Sequence, residues 1–169
     1  MGIVCESKSF AGTLDEAFLR KVEGWFQRNS SAGRRIVFDP SYVEHLRSFN
    51  GGKPKTNCFI PPDGYERLVE RFYNFVEPSK EHPRVTERVD VVWSQVDDRL
   101  GSFLIPFAEL FAGDMLCFDF SKPGRPRVVI WLHEQSREDA PATEYVAENF
   151  DEFLKMLYDP EETAGRGAG

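Results

Sequence analysis

The chain has 169 residues, 28 acidic against 21 basic, with a formal net charge of −7; hydrophobic residues make up 41% and 15 residues are Phe. That is long enough for one domain with a sizeable core and too apolar for a disordered chain. It is too acidic for a nucleic-acid binder, whose affinity rests on neutralising phosphates. No apolar run approaches the roughly 20 residues of a membrane helix. Residues 1–10, with Glu6 and Lys8, lack the basic start and long apolar run of a secretory signal, so a cytoplasmic location is expected. Cys5, Cys58 and Cys117 are odd in number, far apart and without CxxC spacing. They predict reduced thiols, not a disulfide framework or zinc site, with Cys58 and Cys117 buried in apolar surroundings.

Thr13 followed by Glu16 reads as a capping box opening a first helix. Leu14, Phe18, Val22, Trp25 and Phe26 share one face, and Asn29 to Gly33 ends it. Asp39-Pro40 opens a second helix, with aspartate as the N-cap and proline at the first helical position. Its stripe is Tyr42, Leu46 and Phe49, and Asn50-Gly51-Gly52 is expected to stop it as a C-cap. Thr56 to Ile60 reads as a strand and Pro61 to Gly64 as a turn. Over Glu66 to Val76, helical spacing competes with the strand-forming run Phe72 to Val76, and the second half is assigned to a strand. Pro78 to Pro83 is a polar loop.

Val85, Val89, Val92, Trp93, Val96 and Leu100 predict a third helix despite valine's weak propensity. Leu104 to Phe107 is a short strand placed at a sheet edge, because Pro106 has no N–H to donate. Asp114 to Phe120 and Arg127 to His133 flank the turn Ser121-Lys122-Pro123-Gly124 and make the best-marked hairpin in the chain. Glu134 to Pro141 is a charged loop and Thr143 to Ala147 another strand. Asn149 caps a last helix carrying Phe150, Phe153, Leu154 and Leu157, which Asp159-Pro160 ends. The organisation expected is an N-terminal segment 1–12, one domain over 13–158 and a flexible tail over 159–169. The class is α+β, a mainly antiparallel sheet with flanking helices.

Several stretches resemble one known family. The segment from Pro40 to Gly52, PSYVEHLRSFNGG, resembles the helix-plus-"NGG" segment of SMI1/KNR4 (SUKH) domains. Ile105-Pro106-Phe107-Ala108, Gly113-Asp114 with Cys117-Phe118-Asp119, Val128-Val129 with Trp131 and His133-Glu134, Val146-Ala147, and Phe150 with Glu152-Phe153-Leu154 are similar, in that order, to its C-terminal pattern. The resemblance covers Asp15 to Leu157, with Gly33 to Asp39 and the polar tail outside it. It implies a single α+β domain that binds other proteins. Bacterial members are predominantly immunity proteins that neutralise toxins, many of them nucleases or deaminases; other members are regulatory. The family has no shared catalytic residues to carry over.

The remaining constellations have plain readings. His133-Glu134 continues to Arg137, not to a second histidine, and ends a strand, so it is no zinc motif. Gly51-Gly52-Lys53 lacks the first glycine and the hydroxyl of a phosphate loop. Asp114 is expected to cap its turn locally, and Phe118, Phe120 and Trp131 are expected in the core instead of forming a base-stacking platform. Arg34-Arg35 is an isolated basic pair and makes no patch. The acidic pairs Asp97-Asp98 and Glu138-Asp139 leave a carboxylate hydrolase as the least favoured reading. The favoured one is a non-enzymatic immunity protein without cofactor or metal, occluding the basic active site of a toxin domain. Asp97, Asp98, Glu134, Glu138 and Asp139 are its candidate contacts. A regulatory or scaffolding SUKH domain is the alternative. No membrane or direct nucleic-acid partner is expected.

Overall fold

Along the marked hairpin Leu116 and Phe118 face one way, Met115 and Cys117 the other, and all four are buried. A strand buried on both sides needs cover on both sides. The computed structural model describes residues 3, 5–29, 33–77 and 81–166 and shows that cover. Helices α1 (Glu16–Asn29), α2 (Pro40–Ser48), α3 (Val89–Leu100), α4 (Phe150–Met156) and α5 (Pro160–Arg166) surround one sheet. Its strands are β1 (Cys58–Phe59), β2 (Arg67–Phe72), β3 (Leu104–Leu110), β4 (Met115–Asp119), β5 (Arg127–Trp131) and β6 (Thr143–Ala147). Their spatial order follows the chain and every neighbouring pair is antiparallel. The α+β class is therefore as expected.

The inner face is an aromatic stack. Phe107 and Phe118 lie 4.3 Å apart at 22°; Tyr42 of α2 sits edge-on 4.8 Å from Phe118 and 5.2 Å from Phe150 of α4. Each such pair adds about 0.5–1.5 kcal/mol beyond area burial. The outer face carries α3. The Trp131 indole N–H donates to the Arg99 carbonyl at 3.0 Å, and the Arg99 guanidinium lies over the Trp131 ring. Trp25 of α1 meets Trp93 of α3 edge-on at 5.2 Å.

Several local readings change. α1 is capped by Asp15, whose Oδ1 accepts the Phe18 N–H at 3.0 Å. Thr13 lies too far outside the helix to do so, and Glu16 instead pairs with Arg47 of α2 at 2.5 Å. α2 is capped by Asp39 as expected. Asn50 is more than a stop signal. It is 2% exposed, and its side chain accepts the Phe75 N–H at 2.8 Å and donates to the Phe75 carbonyl at 3.1 Å. Gly51, at φ +79, passes so close to Asn74 that a Cβ would lie 3.0 Å from that residue's own Cβ.

Asn50 also explains why β2 runs over Arg67–Phe72 and not over Phe72 to Val76. Residues 74 and 75 direct their backbone groups elsewhere, Phe75 to Asn50 and Asn74 to Glu87 and Val89. β3 lies inside the sheet between β2 and β4, not at an edge. A bulge after Pro106 leaves Phe107 unpaired with β4 and frees its carbonyl for the Tyr73 N–H at 2.8 Å. Only Cys58 and Phe59 of the expected strand Thr56 to Ile60 are extended in the sheet. The chain after Asp159 is helical as far as Arg166, because Asp159 accepts the Glu161 N–H ahead of Pro160–Arg166. Parts of three expected stretches, the end of the first helix, the Pro78 to Pro83 loop and the tail, lie outside the described residues.

The three cysteines are free and buried. Burial, with Glu6 nearby, pushes the Cys5 thiol up to about 11, and burial likewise raises Cys58 and Cys117. The exposed side of β1 is covered by Tyr158, which exchanges both backbone hydrogen bonds with Cys58 at 3.1 and 2.9 Å.

One guanidinium joins three elements. Arg125, in the β4–β5 turn, holds Asp39 through two bonds of 2.8 and 3.0 Å and reaches Asp151 of α4 at 2.8 Å. Asp39 is 2% exposed. Burial opposes its ionisation, but hydrogen bonds from Arg125 and Ser41 outweigh it and hold the carboxyl below its usual range. The Arg125 side chain is 45% exposed, so Arg125→Gln is expected to cost about 2 kcal/mol in urea unfolding, below the roughly 3–5 kcal/mol of a fully buried pair. A loss under about 0.5 kcal/mol would contradict this role.

His45 gives the fold a pH dependence. It packs against the rings of Phe72, Phe150 and Phe49 with Nε2 unpaired, and burial lowers its pKa from 6.5 to about 4. The unfolded chain takes up this proton below about pH 6.5 and the folded chain only near pH 4. Stability is therefore complete above pH 6.5 and falls by about 3 kcal/mol between those values. His45→Leu should flatten the urea-midpoint profile across this window relative to the unsubstituted chain.

Candidate functional site

The C-terminal end of α3 meets the loop between β5 and β6. The Asp139 N–H donates to the Asp98 carbonyl at 2.8 Å, one of the carbonyls a helix end leaves open. Asp139 adopts φ +53, which aspartate tolerates better than most residues. Asp97, Asp98, Glu138 and Asp139 thus come to one place, all exposed. Glu134, also exposed, starts the same loop, with its carboxylate 3.9 Å from His133 Nε2. The loop is pinned from within: Ser136, 4% exposed, donates to the Leu132 carbonyl at 2.8 Å and accepts the Ala142 N–H at 2.9 Å. Asp97, Asp98, Glu138 and Asp139 are therefore brought together where the loop meets the end of α3, while Glu134 stands at the start of the loop beside His133.

Asp114 does not cap its own turn. Its Oδ1 accepts the His133 N–H at 3.0 Å and lies 2.7 Å from His133 Nδ1, tying the end of β5 to the start of β4. Phe118, Phe120 and Trp131 are buried, as expected of core residues. Among the described residues no cluster of three His, Cys, Asp or Glu side chains is placed to hold a metal.

Beside the acidic surface, α3 stands off the outer face of the sheet and leaves a cleft of about 310 Å³. Val92, Val96 and Arg99 of α3 form one wall, with Glu109, Met115 and Trp131 of the sheet opposite. Tyr73, 5% exposed, also lines it, and burial followed by the nearby Glu109, Cys117 and Glu87 raises its phenol so that it stays protonated. The β3–β4 turn at the mouth is strained: Ala112 sits at φ +71 and Phe111 is 70% exposed. Tyr73, Glu109 and Phe111 were not singled out from the sequence. The one usable signal was Glu109, the single charge in the strand LIPFAEL, followed by the strand-breaking Phe111-Ala112-Gly113.

A larger concavity, about 650 Å³, lies elsewhere. It gathers Arg34 and Arg35 with Lys122 of the β4–β5 turn, so the expectation that this pair makes no patch is corrected. Its cations are all exposed.

The family model described as SMI1-KNR4 cell-wall matches residues 34–154, well over half of the chain. The chain belongs to the SUKH family. The match begins at Arg34, so it includes most of the Gly33 to Asp39 stretch that the resemblance left aside and omits α1. No curated protein and no solved structure matches the chain. SUKH domains are known as an immunity-protein type and are generally non-enzymatic, which points to protein binding. Among the described residues no helix is long and apolar enough to cross a membrane.

Gly113, at φ +93, brings the turn against the His133 ring, where a Cβ would lie 3.4 Å from Cε1. Gly113→Ala is expected to lose roughly 1–2 kcal/mol and to shift the His133 ring resonances. Unchanged stability and unchanged His133 signals together would show that this SUKH domain does not need the close approach.

Proposed function

We propose that this SUKH domain is an immunity protein that binds a cognate toxin and occludes its basic active-site cleft. The observation that supports the reading is the meeting of Asp97, Asp98, Glu138 and Asp139 at the end of α3, in a chain with net charge −7. A rigid acidic surface raises the encounter rate with a basic partner, and a few desolvated anchors then set the lifetime of the complex. The toxin class this suits is one with a cationic substrate groove, such as a nuclease. The interaction would take place in the cytoplasm, beside the toxin's target.

A regulatory or scaffolding role is the second reading, favoured by the cell-wall description of the matching family. A toxin gene beside this one supports immunity; its absence supports regulation.

Co-expression with the toxin encoded by the adjacent gene is expected to restore growth and to yield a co-purifying complex. Failure of both rejects immunity. Asp97→Lys, Asp98→Lys and Glu138→Lys combined should slow association at least tenfold at low salt, with the difference shrinking towards 1 M salt. A rate insensitive to both charge and salt would leave immunity standing and remove the acidic surface from it.

A further inference from the structure

The cleft beside α3 holds two carboxylates, Glu87 and Glu109, and one cation, Arg99. Two of these charges are already engaged. Glu87 meets Arg71 at 3.3 Å and Arg84 at 3.7 Å, while Arg99 lies over Trp131 and donates to the His133 carbonyl at 3.3 Å. Glu109 is exposed and makes no ion pair among the described residues. Tyr73, 5% exposed as a residue, lines the same cleft, and its hydroxyl makes no hydrogen bond to protein among the described residues. The hydroxyl is not among the fully enclosed polar atoms of the fold, so it is free to accept a hydrogen bond from a group that enters the cleft.

We propose that this cleft receives an arginine side chain of the protein partner, with its guanidinium between the Glu109 carboxylate and the Tyr73 hydroxyl oxygen. The volume, about 310 Å³, is roughly ten water volumes and lies at the bottom of the range for organic ligands, about 300 Å³. It suits one long side chain better than a cofactor. Val92, Val96 and Met115 line the path with apolar surface for the aliphatic stem. The planar fork of N–H donors matches a carboxylate and a phenol oxygen held in fixed positions, which a single ammonium group does less well. Arginine in a central pocket is also a common anchor of protein interfaces. The acidic surface at the end of α3 would steer the basic partner, and this cleft would hold it. The inference rests on the toxin-binding reading and deepens it by naming the group that is gripped.

The test uses N-acetylarginine amide with the intact chain, followed by the NMR signal of the Trp131 indole N–H. A saturable shift is expected in the millimolar range, with little response to the leucine and glutamine analogues and a weaker one to the lysine analogue. Glu109→Gln should weaken the arginine response at least fivefold, and Tyr73→Phe should weaken it by a smaller factor, both with unchanged melting. Equal responses to arginine and glutamine or lysine, no saturation, or full binding by a folded Glu109→Gln variant would overturn the proposal. The same substitution should weaken the toxin complex at least tenfold. A probe that binds as described while the neighbouring toxin is neither bound nor neutralised would instead remove the toxin reading and leave the cleft assigned.

Discussion

The buried Asp39 carboxylate, held by Arg125, is the constraint on which the inner half of the molecule depends. Asp39 caps α2 while Arg125 reaches it from the β4–β5 turn through Nε and Nη2, and the same Nη2 also donates to Asp151. Two helix N-termini are thereby fixed against one hairpin by one planar cation. Tyr42 lies three residues beyond the first cap and Phe150 immediately precedes Asp151, so the rings that close over Phe118 are placed by this contact. Hydrophobic burial supplies most of the free energy; the ion pair supplies the registry between elements.

The two faces of the sheet are consequently unlike. The inner face is filled by interlocking rings. The outer face has a single long helix, joined to it at one end by Trp131 and Arg99, and the volume left beneath that helix is the cleft. A domain that binds a partner by a rigid surface benefits from this division, since the packed side fixes the frame and the less filled side offers an opening.

What the sequence made legible follows from range. Alternation in Met115–Asp119 and Arg127–Trp131, and the caps at Asp39 and Asn149, act over a few residues and were readable. Asn50 was not, because its partner Phe75 stands 25 residues away and replaces what looked like strand pairing at Phe72 to Val76. Pro106 misled for a similar reason: its missing N–H excludes a regular central ladder, but a neighbouring bulge restores a central position. For the site, charge alone picked out the acidic residues. The contact of Asp98 with Asp139, and the cleft that gathers Tyr73 and Glu109, exist only once α3 is laid on the sheet.

The buried cysteines turn this architecture into its own gauge of local opening. With their thiols raised and enclosed, Cys5, Cys58 and Cys117 react only when the surrounding segment opens. Cys5 bridges to Pro54 beside the Asn50-Gly51-Gly52 segment, Cys58 lies under the Tyr158 cover at the sheet's margin, and Cys117 sits mid-sheet. Their order of labelling by a thiol reagent would separate fraying of the N-terminal segment, release of the C-terminal cover and breakage of the sheet. A bound partner would protect each of the three only as far as the surface it covers is mechanically joined to that depth.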